Sequence, residues 1–145
     1  MLVQAILKSK GSGAVETVSP SLTVSEAAKI LAAKRIGTVV VSEDGGETAA
    51  GILSERDIVR ELGSSGSGCL TEPVSTYMTS ELETASQQDS VQDVLSRMTE
   101  GRFRHMPVLE DGKLIGIVTL GDVVKAQLSE LAMEKDALEG MIMGH

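Results

Sequence analysis

Apolar and polar positions follow two different periods along this chain, and the change of period happens twice in the same order. In residues 23–36 the apolar positions Val24, Ala27, Ala28 and Leu31 fall at the spacing of one helix face. A strand-like run, 37–41, comes next, and then the turn residues Glu43, Asp44 and Gly45. The return run 50–53 leads at once into a second helical segment, 54–62. The order recurs from Ser90: a helix face at Val91, Val94, Leu95 and Met98, a strand-like run 105–109, the turn Glu110-Asp111-Gly112, a return run 115–118 and a helix 119–128. Thr23 lies over Ser90 and Ile36 over Phe103 at an offset of 67 residues. Past the turn the offset is 65, because the first loop is two residues longer.

The ends of these segments are marked too. Thr23 with Glu26, and Ser90 with Asp93 as a shorter variant, predict capping boxes at the helix starts. Short extended entries, 15–18 and 82–85, precede the helices at the same offset. Each unit therefore reads as strand, helix, strand, strand, helix. One such unit of roughly fifty residues can barely bury its own apolar faces. Two packed with their sheets together can. Residues 63–75 are rich in Gly and Ser and read as a flexible linker. The predicted division is a first repeat with its lead-in (1–62), the linker (63–75), a second repeat (76–128) and a helical tail (129–145). The fold class is α+β (α/β).

Composition narrows the class. Of 145 residues 41% are apolar, yet there is one Phe, one Tyr and no Trp, so the core must be Val, Ile, Leu, Ala and Met. The single cysteine, Cys69, rules out an intrachain disulfide and fits a reducing compartment. The net charge of −8 argues against general nucleic-acid binding. The opening apolar stretch is too short for a signal segment or a membrane span. A cytoplasmic protein is expected.

Two motifs repeat at the return-strand-to-helix corner: Gly51-Ile52-Leu53-Ser54-Glu55-Arg56-Asp57 and Gly116-Ile117-Val118-Thr119-Leu120-Gly121-Asp122. A carboxylate beside a helix start can accept two hydrogen bonds from the vicinal hydroxyls of a ribose, and the free N–H groups there favour a phosphate. Read structurally, Ser54 with Asp57 and Thr119 with Asp122 are each N-cap pairs. The two roles can coexist. With Arg102-Phe103-Arg104-His105-Met106-Pro107-Val108 and Tyr77-Met78-Thr79, these motifs resemble a tandem CBS-domain pair, the Bateman module, over residues 3–128. The organisation resembles the stand-alone bacterial proteins of that family. The first repeat departs from the pattern: it lacks the His and Pro of the second, and Gly11-Ser12 stands in the place of Met78-Thr79.

The resemblance implies two βαββα repeats packed as a pseudo-two-fold pair, plus a C-terminal helix. It implies an adenine-nucleotide ligand (AMP, ADP, ATP or NAD) acting as a regulatory signal. Asp57 and Asp122 would hold ribose, and Ser54 and Thr119 would sit near ribose or phosphate. Adenine would slot beside Thr17, Thr38 and Val39 in one cleft, and beside Met78, Thr79, Met106 and Pro107 in the other. Three arginines and a histidine, Arg97, Arg102, Arg104 and His105, form a basic island in an acidic chain. Arg104 and His105 are the phosphate candidates there, and Arg56 joins them. Arg97 and Arg102 suit a helix end, where cations are favoured. Lys8 and Lys10 are weaker candidates.

In the tail, Val124, Leu128, Leu131, Leu138 and Ile142 form one apolar stripe interrupted by Lys135, with Met133, Met141 and Met143 adding adaptable surface. It either folds onto its own module or makes a homodimer contact. Catalysis is not expected. Only two histidines are present, His105 and the terminal His145, and no phosphate loop, metal motif or nucleophile elbow occurs. The expected function is a non-catalytic sensor that an unidentified regulated protein reads. The alternative is a nucleotide-free interaction or dimerisation module.

Overall fold

The computed structural model describes residues 1–11 and 15–142. The chain order is α1 (Val3–Lys10), β1 (Thr17–Val18), α2 (Val24–Lys34), β2 (Thr38–Val41), β3 (Gly51–Ser54), α3 (Glu55–Ser65), α4 (Val91–Gly101), β4 (His105–Glu110), β5 (Lys113–Thr119) and α5 (Leu120–Ile142). Ser12, Met143, Gly144 and His145 lie outside the described residues.

The repeat predicted from the pattern is built as two small sheets, each with its own helices. In the first, β1 pairs parallel with β2, and β2 pairs antiparallel with β3. In the second, β4 and β5 form an antiparallel hairpin, and the entry is reduced to Ala85 bridging Val108. The turn at Asp111-Gly112 has φ of 52° and 78°, the left-handed pair that a two-residue hairpin turn needs. The longer first loop is organised instead by Asp44. Thr48 donates to it from both hydroxyl and backbone N–H, Ser42 adds a third bond, and together they hold its carboxyl at about 2.

Helix ends obey the repeat closely. Thr23 and Ser90 accept hydrogen bonds from the backbone N–H of Glu26 (3.2 Å) and Asp93 (3.0 Å). Only this hydroxyl half of the expected boxes forms; the Glu26 and Asp93 carboxylates lie instead 3.4 Å from Lys29 and 3.9 Å from Arg97. Arg35 and Arg102 close the two helices in the left-handed conformation, at φ of 53° and 56°.

Two cores result. Val24, Ala27, Leu31, Val39, Val41, Leu53 and Ile58 fill the first, and Val91, Val94, Met98, Met106, Val108, Val118 and Val123 fill the second. Each is completed by the segment preceding the other repeat. Val3 and Ile6 of α1, which the sequence attaches to the first repeat, are buried in the second core. Val74 and Met78, from the approach to the second repeat, pack into the first. The backbone shows the same exchange: Pro73 bridges Thr23, and Leu2 bridges Ser90. Residues 63–75 are thus not a loose linker. They finish α3, continue as a 3-10 helix (Gly66–Thr71) that buries Cys69, and bury Val74. Close approach explains the repeated glycines. A Cβ on Gly51 would meet the Met78 sulfur at 2.5 Å, and one on Gly116 would meet a Leu7 methyl at 2.7 Å.

Candidate functional site

Strand alternation decides which side chains reach the space between the halves. On β2, Val39 and Val41 point into the first core, while Thr38 and Val40 take the opposite face. On β4, Met106 and Val108 point into the second core, and His105 takes the opposite face. Val39 and Met106, expected beside adenine, are therefore fully buried core residues and line no cleft. Thr38 and His105 are equivalents in the repeat, and they meet. Thr38 Oγ1 and His105 Nε2 lie 2.9 Å apart, a hydrogen bond across the pseudo-two-fold axis.

Two clefts flank that bond. The first, about 680 Å³, brings Ser54, Arg56, Asp57 and Thr79 together with Arg102, Arg104, His105 and Thr119. The second, about 620 Å³, is lined by Lys10, Glu16, Lys34, Thr38, Ile117 and Thr119, among others. His105, Thr119 and Gly37 border both. Met78 and Thr79 were expected beside Met106 and Pro107. They lie instead in the first half, where Thr79 exchanges backbone hydrogen bonds with Ile52 (2.9 and 3.0 Å). Pro107 is buried, and Thr17 packs at the sheet margin beside Gly46, outside both clefts.

Both acidic corners are full capping boxes. Asp57 Oδ2 accepts from the Ser54 backbone N–H and hydroxyl, each at 2.9 Å, and Asp122 Oδ2 accepts from the Thr119 N–H at 2.9 Å. The capping role foreseen for these residues thus engages one oxygen of each carboxylate. The remaining capacity is used differently. Arg60 reaches Asp57 Oδ1 at 2.6 Å from a largely exposed position on the same helix. Lys10 bonds both Asp122 Oδ2 (2.8 Å) and the Ile117 carbonyl (3.0 Å), tying α1 to the second corner. Burial pushes the Asp122 carboxyl up, but Lys10 and the Thr119 donors more than reverse this and leave it below the usual range. His105 is pushed below the ordinary imidazole value by burial first, then by the Lys10 and Arg104 cations; Asp122 and Asp57 oppose this.

The basic island divides. Arg97 is bound to Glu83 (2.6 Å) and to the Thr84 carbonyl (2.7 Å), with Asp89 and Asp93 nearby, and takes no part in the cleft. Arg104 is exposed into the first cleft, and Arg102 lines it while also closing α4. Lys8 lines neither cleft. Sequence reasoning missed Arg60, whose signal was its i,i+3 spacing from Asp57. It also missed Lys34 and Glu16, a 2.6 Å ion pair beside the second cleft. Among the described residues, no cluster of His, Cys, Asp and Glu is arranged to hold a metal ion, and no helix is long and apolar enough to cross a membrane.

Comparison with known proteins agrees with this architecture. Residues 12–64 and 74–129 each match the CBS domain. The chain is similar to the crystal structure of the CBS-domain containing protein ATU1752 from Agrobacterium tumefaciens: 40% identity, TM-score 0.81, 88% of this chain and 99% of that one. It is also similar, at 26% identity, to the protein PAE2072 from Pyrobaculum aerophilum, which was solved in complex with AMP (TM-score 0.78, 92% and 99% covered). A third similar structure, also at 26% identity, is the CBS domain pair of protein MJ0100 in complex with 5′-methylthioadenosine and S-adenosyl-L-methionine (TM-score 0.76, 90% and 98% covered).

Proposed function

The chain belongs to the CBS-domain family as a tandem pair, and from that premise we propose that its first cleft binds an adenosine phosphate as a regulatory signal, without catalysis. One observation carries this reading. A single cleft of about 680 Å³ gathers the Ser54–Asp57 corner of one repeat and Arg102, Arg104, His105 and the Thr119 hydroxyl of the other. The ribose hydroxyls would bond Asp57 in exchange for Arg60, whose partly solvated ion pair is cheap to open. The phosphates would lie between Arg104, His105 and the start of α5, where the helix dipole and arginine forks favour an anion. A ligand held by both halves can shift their relative arrangement through its differential affinity for the two states.

The neighbours' ligands share adenosine and differ in charge, which supports an adenosine-bearing ligand here. AMP, ADP, ATP and NAD remain the candidates within it, and the arginines favour the phosphorylated ones over a neutral thioether. Calorimetry with these four, S-adenosylmethionine and 5′-methylthioadenosine tests it on the wild type and on Asp57→Asn. The expected result is saturable binding of at least one phosphorylated ligand that Asp57→Asn weakens. No heat and no thermal shift with any of the six would overturn it and favour a nucleotide-free interaction module.

A further inference from the structure

Thr38 reaches the first cleft only through His105. It lines the second cleft alone, whereas His105 borders both. Thr38 pairs with Ser54 across β2 and β3, and His105 with Thr119 across β4 and β5. The bond between them therefore joins the two strand pairs that carry the corners. With Nε2 engaged by Thr38 Oγ1 at 2.9 Å, Nδ1 is the polar atom the ring has left for a ligand. Among the described residues the only buried side-chain polar atom without a partner is Gln127 Oε1, so Nδ1, which bonds none of them, is open to solvent.

The charges around the ring make its Nε2 partner matter. Burial, Lys10 of α1 and Arg104 just before β4 disfavour the imidazolium, while Asp122 of α5 and Asp57 of α3 favour it more weakly. Glu16 and Lys34, which line the second cleft, neutralise each other. The ring is therefore neutral at neutral pH and carries a single N–H. With that proton on Nε2, Nδ1 turns a lone pair towards an anion. With the proton on Nδ1, the anion meets a donor. A hydroxyl suits both cases: it accepts from a protonated Nε2 and donates to a bare one, so the 2.9 Å bond survives every protonation state of the ring. We propose that Thr38 is a positioning residue for the first cleft, which it does not line: by donating its hydroxyl proton to Nε2 it lets neutral His105 present Nδ1–H to a ligand phosphate. This rests on the reading of the first cleft as the site of an adenosine phosphate.

Calorimetry at neutral pH with AMP, ADP, ATP, NAD and 5′-methylthioadenosine tests it on the wild type, Thr38→Val and Thr38→Ser, with thermal melting as the check on folding. Val keeps the shape of Thr and removes donor and acceptor together; Ser keeps both. Thr38→Val should weaken the phosphorylated ligands that the wild type binds about tenfold, the worth of an unmet hydrogen bond at a half-buried ring. It should leave 5′-methylthioadenosine, which has no phosphate, within about twofold, and Thr38→Ser should bring the phosphorylated ligands back to within about threefold of the wild type. Nitrogen-15 spectra of the imidazole, which need no variant, should show Nδ1 protonated in the wild-type complex. No loss in Thr38→Val, an equal loss of phosphorylated and phosphate-free ligands, no rescue by Ser, or a bare Nδ1 in the complex would overturn the role of Thr38 and leave the adenosine-phosphate reading standing. A wild type that binds none of the four phosphorylated ligands would overturn both.

Discussion

The two clefts are made from equivalent parts and differ in what answers the acidic corner. At Asp57 the answering cation is Arg60, from the same helix and largely in solvent. At Asp122 it is Lys10, from a separate helix, anchored at the same time to the Ile117 carbonyl. The first cation can swing aside for a ligand at little cost. The second is part of what docks α1 on its repeat. The basic side chains divide the same way: Arg56, Arg60, Arg102 and Arg104 line the first cleft, whereas the cations of the second, Lys10 and Lys34, are both already paired. The repeat supplies two such corners; the second is tied to α1 through Lys10, while the first is answered only from within its own helix.

The sharpest way to break this comparison is to neutralise each corner in turn. Asp57→Asn should raise the dissociation constant of a phosphorylated adenosine ligand by about tenfold to a hundredfold, the worth of a charge-assisted bond to ribose. Asp122→Asn should change it by less than about threefold. Equal losses in calorimetry would mean the clefts are equivalent. Next come the two glycines. Gly51→Ala forces a Cβ to 2.5 Å from the Met78 sulfur and 2.9 Å from the Thr79 carbonyl oxygen, part of a backbone bridge. It should cost about 2 kcal/mol in urea denaturation. Gly116→Ala meets only the flexible Leu7 side chain and should cost less than about 1 kcal/mol.

Arg104→Ala is expected to weaken AMP or ATP about tenfold while leaving 5′-methylthioadenosine nearly unchanged, because only the former offers a phosphate. Lys10→Ala removes a partly exposed ion pair, so its effect on stability should stay under about 1 kcal/mol. Its informative outcome is stoichiometry: freeing Asp122 should add a second bound equivalent in calorimetry. The smallest effect is on pH dependence. His105 titrates below the ordinary imidazole value in the folded protein, so the unfolded chain takes up its proton first as pH falls. Its contribution to stability is complete above the ordinary value and is lost as pH drops through the folded one. Phosphate-ligand affinity should rise over that same acid interval, since a bound anion favours the charged imidazole. Thr38→Val should shift both profiles.

Much of the fold was legible from periodicity. The helix faces at Val24–Leu31 and Val91–Met98, and the Asp111-Gly112 turn, are local features that the structure keeps. The candidate site was legible only in part. Ser54, Asp57, Arg104, His105 and Thr119 were found because they sit at repeated corners or in a local cluster, and one cleft does collect them. Val39 and Met106 were misplaced by one residue of strand alternation, a slip that turns a side chain to the other face of a sheet. Met78 and Thr79 were assigned to the wrong half because repeat alignment places a segment by its neighbours in sequence. The lead-ins are exchanged in space.

The sequence by itself determined the duplication, the helix and strand order, the caps and the chemical kinds of group at each corner, since these depend on neighbours a few residues apart. Only the tertiary structure decided that each lead-in completes the other repeat, that Thr38 meets His105 across the axis, and that Lys10 rather than solvent faces Asp122. Those outcomes depend on which apolar faces bury each other most completely. That competition runs between segments up to 129 residues apart, and no local pattern records it.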